Sequence, residues 1–145
     1  MRTYDLRTAQ LFTEDIVHPI TSFSISNDGA SIAASCLDGI IRLWGCATNT
    51  THIESRKKVF QKLHSSHKSE NHKVECTFTS NDEYLISGSE CGAVAIYPLH
   101  LEDKNGATNN VDAATLQGHK GPTCSVAACP QISRPWLIVS ASYDG

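Results

Sequence analysis

The sequence predicts an all-β chain assembled from repeated antiparallel units, and two observations support this prediction. A two-residue corner that ends in glycine recurs every 53 residues, at Asp38-Gly39, Cys91-Gly92 and Asp144-Gly145. Around these corners, apolar and polar residues alternate with a period of two, which is typical of strands with one buried face. A repeat of this length indicates units that bury their apolar faces against one another.

The first complete unit contains three predicted strands joined by hairpin turns. Large apolar residues at Ile20, Phe23 and Ile25, with Thr and Ser between them, mark the first strand as half-buried. Turn-forming residues precede the second strand, and the Asp38-Gly39 corner precedes the third. The strands span residues 19–25, 31–36 and 40–44, and the first turn is Ser26-Asn27-Asp28-Gly29.

The same order of strands recurs along the chain. The second unit has predicted strands at 73–78, 84–89 and 94–97, and the third has strands at 123–128 and 136–141 and lacks its third strand. Residues 3–12 resemble the third and outer strands of a unit whose beginning is missing. The predicted divisions are 1–16, the end of an incomplete unit; 17–66, a repeat with a polar connection; 67–117, a repeat with a long polar loop; and 118–145, a truncated repeat.

Composition places the chain among ordinary globular proteins. Its 145 residues are 40% hydrophobic and 19% charged, values that fit a packed core. A net charge of −3 gives no general attraction to nucleic acid or to anionic membranes. No apolar run approaches the roughly 18 residues of a membrane span, and the first residues lack the apolar region of a signal peptide. We therefore expect an intracellular protein without membrane partners.

In that compartment, cysteines are expected to be free thiols rather than disulfides. Cys36 and Cys76 lie within strand-like runs, where cysteine behaves as a small apolar residue. The six cysteines are Cys36, Cys46, Cys76, Cys91, Cys124 and Cys129.

The units resemble the WD-repeat family of β-propellers. The resemblance rests on a Gly-His start, a Ser in the second strand, an Asp-Gly corner and an aromatic residue that closes the third strand. It implies four-stranded antiparallel blades, with about three blade-equivalents of a seven-bladed ring in this chain. It also implies, within each blade, a buried chain of hydrogen bonds from His to Ser, Asp and Trp, because such polar groups are buried only when each satisfies the next.

No unit holds all four residues of that predicted network. In the first unit Ala34 occupies the Ser position, and in the second Cys91 replaces the Asp and Tyr97 the Trp. The third unit lacks its Trp. The residues assigned to the network are Asp38 and Trp44 in the first unit, His67 and Ser87 in the second, and His119, Ser140 and Asp144 in the third.

Two alternative readings concern chemistry. His119, Ser140 and Asp144 have the residue types of a nucleophilic triad, but their repeat positions favour a structural role. His64, His67, His72 and Cys76 could be read as a zinc set, although His67 already has a place in the repeat. We therefore expect no catalytic residues, no cofactor and no metal.

A basic stretch between residues 56 and 73 holds half of the 12 Lys and Arg of the chain. A solvated loop is its ordinary interpretation, and the alternative is a patch that meets an acidic protein or an RNA backbone. The candidate interaction patch consists of Arg56, Lys57, Lys58 and Lys62.

The resemblance implies a non-enzymatic scaffold that binds several proteins through its loops. Residues 2 to 97 resemble in particular a scaffold of this family that serves kinase-cascade signalling and is found with spliceosomes. We therefore expect protein partners in a multiprotein complex, RNA contact only through a ribonucleoprotein assembly, no small-molecule substrate, and a cytoplasmic and nuclear localisation. The alternatives are an adaptor of another complex, such as a ubiquitin-ligase receptor or a coat, and a channel-type propeller enzyme.

Overall fold

A computed structural model describes residues 1–45, 61–63, 67–99 and 113–145, which contain twelve β-strands and no helix. Four antiparallel sheets follow one another along the chain. The first contains β1 (Arg2–Asp5) and β2 (Gln10–Thr13); the second β3 (Ile20–Ile25), β4 (Ser31–Cys36), β5 (Ile41–Gly45) and β6 (Gln61–Leu63); the third β7 (Cys76–Phe78), β8 (Tyr84–Ser87), β9 (Ala93–Pro98) and β10 (Ala114–Gln117); the fourth β11 (Thr123–Ala128) and β12 (Ile138–Ser142). The prediction of an all-β chain with four-stranded units is confirmed.

In each sheet, consecutive strands lie side by side, so the second and third sheets are simple meanders. The inner strands β3 and β7 begin these sheets, and β6 and β10 form their outer edges. The corners between the second and third strands need glycine. Gly39 has φ +70° and Gly92 has φ +84°, which are left-handed values that side chains with a Cβ rarely adopt.

Apolar side chains between neighbouring sheets form three clusters, so the sheets pack face to face in chain order. The largest joins the second and third sheets, and its fully buried members include Leu43, Leu85 and Tyr97. A smaller one surrounds Trp44 and includes Ile16 of the preceding connection. The last places Val126 of the fourth sheet against Ile86 and Val94 of the third. No unit buries its core alone.

Polar contacts also join the inner strands. The hydroxyls of Ser22 and Ser24 lie 3.5 and 3.4 Å from the backbone N–H groups of Cys76 and Phe78, which donate to them. Because residues alternate along a strand, Phe23 and Ile25 point the other way and are 66% and 61% exposed. The prediction of a half-buried strand marked by these residues is therefore wrong for both, since no described sheet covers that face.

The hairpin turns at the other end of the sheets are also connected. Asp82 accepts hydrogen bonds from the backbone N–H groups of Asn27 (2.7 Å) and Asp28 (2.9 Å) in the turn of the second sheet. Its φ of +56° is left-handed, and it stands 53 residues after Gly29, which is left-handed too. Asp tolerates this conformation better than most residues, and here its carboxylate ties two repeats together.

Of the cysteines in the described residues, Cys36 and Cys76 are buried, Cys91 is exposed and all are free thiols. Cys46 lies outside the described residues. The part of the chain that the structure describes contains no helix with the length and apolar character that a membrane crossing requires.

Candidate functional site

The corners of the repeats and the loops that precede the inner strands form one continuous surface, which we call the corner face. The corners touch the loops that lead into their own sheet and into the next sheet. The N–H of Gly39 donates to the carbonyl of Ser69 at 3.2 Å, and the N–H of Glu90 donates to the carbonyl of Lys68 at 2.9 Å. A Cβ on Gly92 would lie only 2.5 Å from the carbonyl oxygen of His119. The corner face comprises residues 37–40, 67–72, 89–92, 118–121 and 143–145.

His67 lies at the centre of this surface, and its imidazole joins the second and third sheets. Nδ1 lies 2.8 Å from the hydroxyl of Ser87 and 3.3 Å from the carbonyl oxygen of Gly88. Nε2 lies 3.1 Å from the hydroxyl of Ser35 in the neighbouring sheet. A carbonyl only accepts, so Nδ1 carries the proton and Nε2 accepts from Ser35. Burial lowers the pKa of His67, which keeps the ring neutral.

The structure thus brings His67 and Ser87 together, and adds Ser35 as a partner. Ser35 is itself held by Thr21, whose hydroxyl donates to the Ser35 side chain at 3.1 Å or to the carbonyl of Val74 at 3.2 Å. This chain of hydrogen bonds crosses from one repeat to the next.

Asp38 and Trp44 of the first complete repeat lie in different environments. Asp38 accepts a hydrogen bond from the Arg42 guanidinium at 3.0 Å, and His18 Nε2 lies 3.6 Å from its carboxylate. The hydrogen bond from Arg42 lowers the pKa of Asp38. Trp44 is buried in the apolar cluster against Ile16 and Met1. An ion pair therefore fixes this corner, with Arg42 as the main partner of the aspartate.

Two neighbours supply the acceptors that Cys91 lacks at the corner of the third sheet. Ser89 Oγ accepts the backbone N–H of Lys68 at 3.1 Å. Glu90 Oε1 accepts three successive backbone N–H groups, at 2.6 to 2.7 Å, from Glu70, Asn71 and His72. The loop from 68 to 72 is thereby fixed at both ends.

The Glu90 side chain is only 8% exposed, yet it is ionised. Burial opposes the charge, but the hydrogen bonds from Asn71, His72 and Glu70 outweigh it and lower the pKa of Glu90 to about 2. A carboxylate that accepts several backbone N–H groups is held strongly in its charged form.

His119, Ser140 and Asp144, the residues predicted for the third unit, lie close together, with His119 between the other two. His119 Nε2 lies 3.0 Å from Ser140 Oγ, and His119 Nδ1 lies 3.3 Å from Asp144 Oδ1. Asp144 also accepts the backbone N–H of Lys120 at 2.7 Å, which lowers its pKa. The distances match those of a nucleophilic triad. The matching pair in the third sheet, His67 with Ser87, is buried between sheets, so this repeat position serves structure there.

The candidate basic patch lies almost entirely outside the described residues and stays a prediction. Arg56, Lys57 and Lys58 lie outside the described residues, and Lys62 lies in β6 opposite Arg42, with its side chain undescribed. Of the zinc set, His64 is also outside the described residues. Burial raises the pKa of the Cys76 thiol to about 12, which disfavours the thiolate that zinc needs. The described ranges hold no group of three or more His, Cys, Asp or Glu placed to hold a metal ion.

Sequence reasoning missed several residues that hold the corner face. Ser89 and Glu90 directly precede the corner in which Cys91 replaces aspartate. Polar side chains next to a corner without its aspartate are the sequence feature that could have indicated their role. His18 precedes the first inner strand with no glycine before it, so no Gly-His motif marked it. Ser35 and Arg42 act across sheets or within a hairpin, and no spacing in the sequence marked either contact.

Comparisons with known proteins agree with this architecture. Residues 11–45, which include β3 to β5, match the family model of the WD domain, G-beta repeat. WD repeat domain-containing protein 83 of Homo sapiens is 32% identical over 96 residues, which cover 66% of this chain and 28% of that protein. Its homolog in Dictyostelium discoideum is 33% identical over 99 residues, covering 68% of this chain and 28% of the relative.

The crystal structure of Sqt1 from Saccharomyces cerevisiae superimposes with a TM-score of 0.57 at 18% identity, covering 79% of this chain and 27% of Sqt1. That likeness concerns the fold alone. The matched part of this chain spans less than a third of the length of these relatives. The repeat match at residues 11–45 and the stacked antiparallel sheets together show that the described residues have the fold of part of a WD-repeat β-propeller.

Proposed function

We propose that the chain is part of a non-enzymatic scaffold that binds other proteins through the corner face. The observation that supports this most is the fixed loop from 68 to 72, in which one buried carboxylate holds three successive N–H groups. Lys68, Glu70, Asn71 and His72 project from this loop with exposed side chains. A surface whose backbone is fixed before binding loses less conformational entropy when a partner docks.

The corner face is suited to recognising proteins because it displays positively and negatively charged side chains on a rigid backbone. Lys68, Glu70 and Lys120 are exposed, in loops that precede neighbouring inner strands. Exposed side chains of mixed charge favour selective docking, since a partner of mismatched charge is disfavoured.

A more specific proposal concerns the cellular process in which this scaffold acts. Residues 2 to 97 resemble the mitogen-activated protein kinase organizer, a WD-repeat scaffold also associated with spliceosomes, and the similarity to WD repeat domain-containing protein 83 supports that resemblance. We therefore propose partners in kinase-cascade signalling, in pre-mRNA splicing or in both, with the protein in the cytoplasm and the nucleus. Any RNA contact arises through a ribonucleoprotein assembly.

Affinity purification of the full-length protein followed by mass spectrometry tests this proposal. Splicing factors or kinases should be recovered with the wild-type protein, and their recovery should fall at least fivefold with the charge-reversal variant Lys68→Glu, Glu70→Lys, Lys120→Glu. These side chains are exposed, so the variant should keep the fold.

A matched control changes three exposed residues near the opposite, hairpin-turn end: Asn27→Lys, Gln131→Glu and Arg134→Glu. It should leave recovery unchanged. Equal recovery with the corner-face variant and the wild type would contradict the proposed surface. Recovery of ubiquitin-ligase or coat subunits would instead place the scaffold in another complex.

A further inference from the structure

Two lysines hold equivalent positions on the corner face, in neighbouring repeats. Lys68 directly follows His67, and its side chain is exposed. Lys120 directly follows His119, the matching histidine of the next repeat, and is exposed as well. The two ammonium groups are therefore separated by the spacing between the third and fourth sheets.

The corner of its own sheet fixes the backbone of each lysine. The N–H of Lys68 donates to the hydroxyl of Ser89 at 3.1 Å. The N–H of Lys120 donates to the carboxylate of Asp144 at 2.7 Å. Both side chains thus extend from defined points on the surface, and only the flexible lysine stems have to be ordered when a ligand binds.

The corner of the third sheet, residues 89–92, lies between the two loops. On one side, the N–H of Glu90 donates to the carbonyl of Lys68 at 2.9 Å. On the other side, Gly92 approaches the next loop so closely that an added Cβ would lie 2.5 Å from the carbonyl oxygen of His119. A ligand that reaches from one lysine to the other therefore crosses this corner.

Cys91 removes a negative charge from that corner. The equivalent positions of the neighbouring repeats hold Asp38 and Asp144, whereas Cys91 is an exposed thiol 3.2 Å from the hydroxyl of Ser89. The hydrogen bond from Ser89 chiefly, and the charge of Lys68 in part, lower the pKa of this thiol. The Lys68 ammonium is therefore close enough to act on the corner that lacks its carboxylate.

Most carboxylates of the corner face are already bound within the protein. Glu90 accepts three loop N–H groups, Asp144 is bound by the neighbouring loop, and Asp38 is paired with an arginine. Among the ion pairs of the described residues, none includes Lys68 or Lys120. Glu70 is the one exposed carboxylate on the described part of this face that has no such partner. The uncompensated charges are thus two positive and one negative.

We propose that Lys68 and Lys120 together bind an acidic segment of a protein partner, which crosses the corner at Cys91 with one carboxylate on each ammonium. This inference rests on the proposed docking at the corner face and adds the chemistry of the partner. Sheets stacked face to face lie about 10 Å apart, and an extended segment advances about 3.1 to 3.4 Å per residue. The segment therefore carries two Asp or Glu residues about two to four positions apart.

An acidic protein segment fits this surface better than RNA does. Every nucleotide of an RNA carries a phosphate, so a bound strand would also bring negative charge to Glu70. The net charge of −3 gives no general attraction to a polyanion either. A protein segment can place its carboxylates at the two lysines and a neutral residue beside Glu70.

Peptide display on phage tests the chemistry of the partner. The full-length protein selects from a random peptide library, and the selection is repeated with the double variant Lys68→Gln, Lys120→Gln. Peptides selected by the wild type should be enriched in pairs of acidic residues at the proposed spacing, and the double variant should not enrich them. No enrichment with the wild type, or equal enrichment with the double variant, would overturn the proposal.

Fluorescence polarisation with the most enriched peptide, synthesised and labelled, measures each charge. Lys68→Gln and Lys120→Gln should each weaken binding about two- to fivefold, the size of an exposed ion pair. Glu70→Gln should strengthen binding, because it removes a like charge from the surface. Arg134→Gln, which changes an exposed cation at the hairpin-turn end, is the matched control and should have no effect. Weaker binding by Glu70→Gln, or equal losses in the lysine variants and the control, would contradict the proposal.

A labelled single-stranded RNA of mixed sequence serves as the second probe. It should bind more weakly than the peptide, and tighter binding of the RNA that the double variant abolishes would overturn the proposal in favour of a nucleic acid. The recovery of protein partners by affinity purification decides the proposed function separately. If the charge-reversal variant loses those partners while no acidic peptide is selected, the docking surface stands and the acidic partner is rejected.

Discussion

At the scale of single residues, the corner face depends on acceptors that differ from one repeat to the next. Asp144 accepts the N–H of Lys120 at one corner, whereas Ser89 accepts the N–H of Lys68 at the corner where Cys91 stands. The backbone requirement is constant, because the loop N–H groups need an acceptor once they are withdrawn from water. The side chain that meets this requirement is free to change.

Glu90 should therefore contribute more to stability than its place on a turn suggests. Glu90→Gln keeps the size of the side chain but removes the charge that three N–H groups bind, so we expect a loss of about 1 to 3 kcal/mol in the free energy of unfolding. Chemical denaturation measures this. Glu70→Gln, in the same loop but exposed, is the control and should cost less than about 0.5 kcal/mol. Equal losses in the two variants would contradict the role given to Glu90.

The same carboxylate predicts an acid dependence. Its pKa of about 2 lies below the ordinary value of 4.5, so the unfolded chain binds the proton first as the pH falls. The contribution of Glu90 is therefore present above about pH 4.5 and is lost as the pH approaches 2. The difference in stability between the wild type and Glu90→Gln should shrink over that range.

His67 predicts a second pH dependence, in a different range. Burial lowers its pKa below the ordinary 6.5, so the folded ring stays neutral while the unfolded chain becomes protonated. Stability from this group is present above about pH 6.5 and falls below it, by up to about 1.4 kcal/mol per pH unit. In His67→Gln that component should be missing. Parallel stability curves for the two proteins between pH 7 and 5 would show that His67 is not held neutral.

At the scale of elements, the sheets approach so closely at some backbone positions that only glycine fits. A Cβ on Gly88 would lie 2.2 Å from the carbonyl oxygen of Thr123, at the junction of the third and fourth sheets. The N–H of Thr123 donates to the carbonyl of Ser89 at 2.9 Å beside it. The two sheets are therefore joined through backbone as well as through the cluster around Val126.

Gly88→Ala should separate these two sheets. Because the clashing atom is backbone, relief requires the sheets to move apart, and overpacking of this kind costs about 1 to 3 kcal/mol. Gly118→Ala is the matched control, since a Cβ there meets no atom within 4 Å. Limited proteolysis should cut the fourth sheet faster in Gly88→Ala and at the wild-type rate in Gly118→Ala. Equal rates in all three would contradict the tight junction.

The strands themselves could be predicted from the sequence to within a few residues. The strands at 31–36 and 123–128 were predicted with the bounds that the structure shows, because turn residues frame them on both sides. The strand predicted at 73–78 is shorter, Cys76–Phe78. Before it, the N–H of Glu75 donates to the carbonyl of Cys124 of the next sheet, although its carbonyl accepts the N–H of Gly88 in its own. A contact between sheets leaves no local pattern.

At the scale of the whole molecule, sequence reasoning gave the repeat but not the way in which repeats are joined. His67 lies 2.8 Å from Ser87, the residue that its repeat position indicated, and Ser35 adds a third partner from the preceding sheet. Asp82 likewise binds a turn 54 and 55 residues earlier in the chain. Such contacts arise because the sheets stack on one another. The spacing of residues along the chain does not show which side chain reaches the neighbouring sheet.

The stacking of the sheets also supports the proposed role as a scaffold. The loop from 68 to 72 is held by Glu90 of its own sheet and also contacts the corner of the sheet before it, where the N–H of Gly39 donates to Ser69. The exposed side chains of neighbouring repeats therefore keep fixed positions relative to one another. A partner that touches two repeats would then meet a surface already in its binding conformation.

Hydrogen exchange at the backbone amides of Glu70, Asn71 and His72 tests this claim most directly. These residues lie in an exposed loop outside any strand, yet their N–H groups donate to the buried carboxylate of Glu90. We predict exchange at least tenfold slower than in an unstructured peptide, and a return towards the peptide rate in Glu90→Gln. Exchange of all three amides at the unstructured rate in the wild-type protein would contradict a corner face that is fixed before binding.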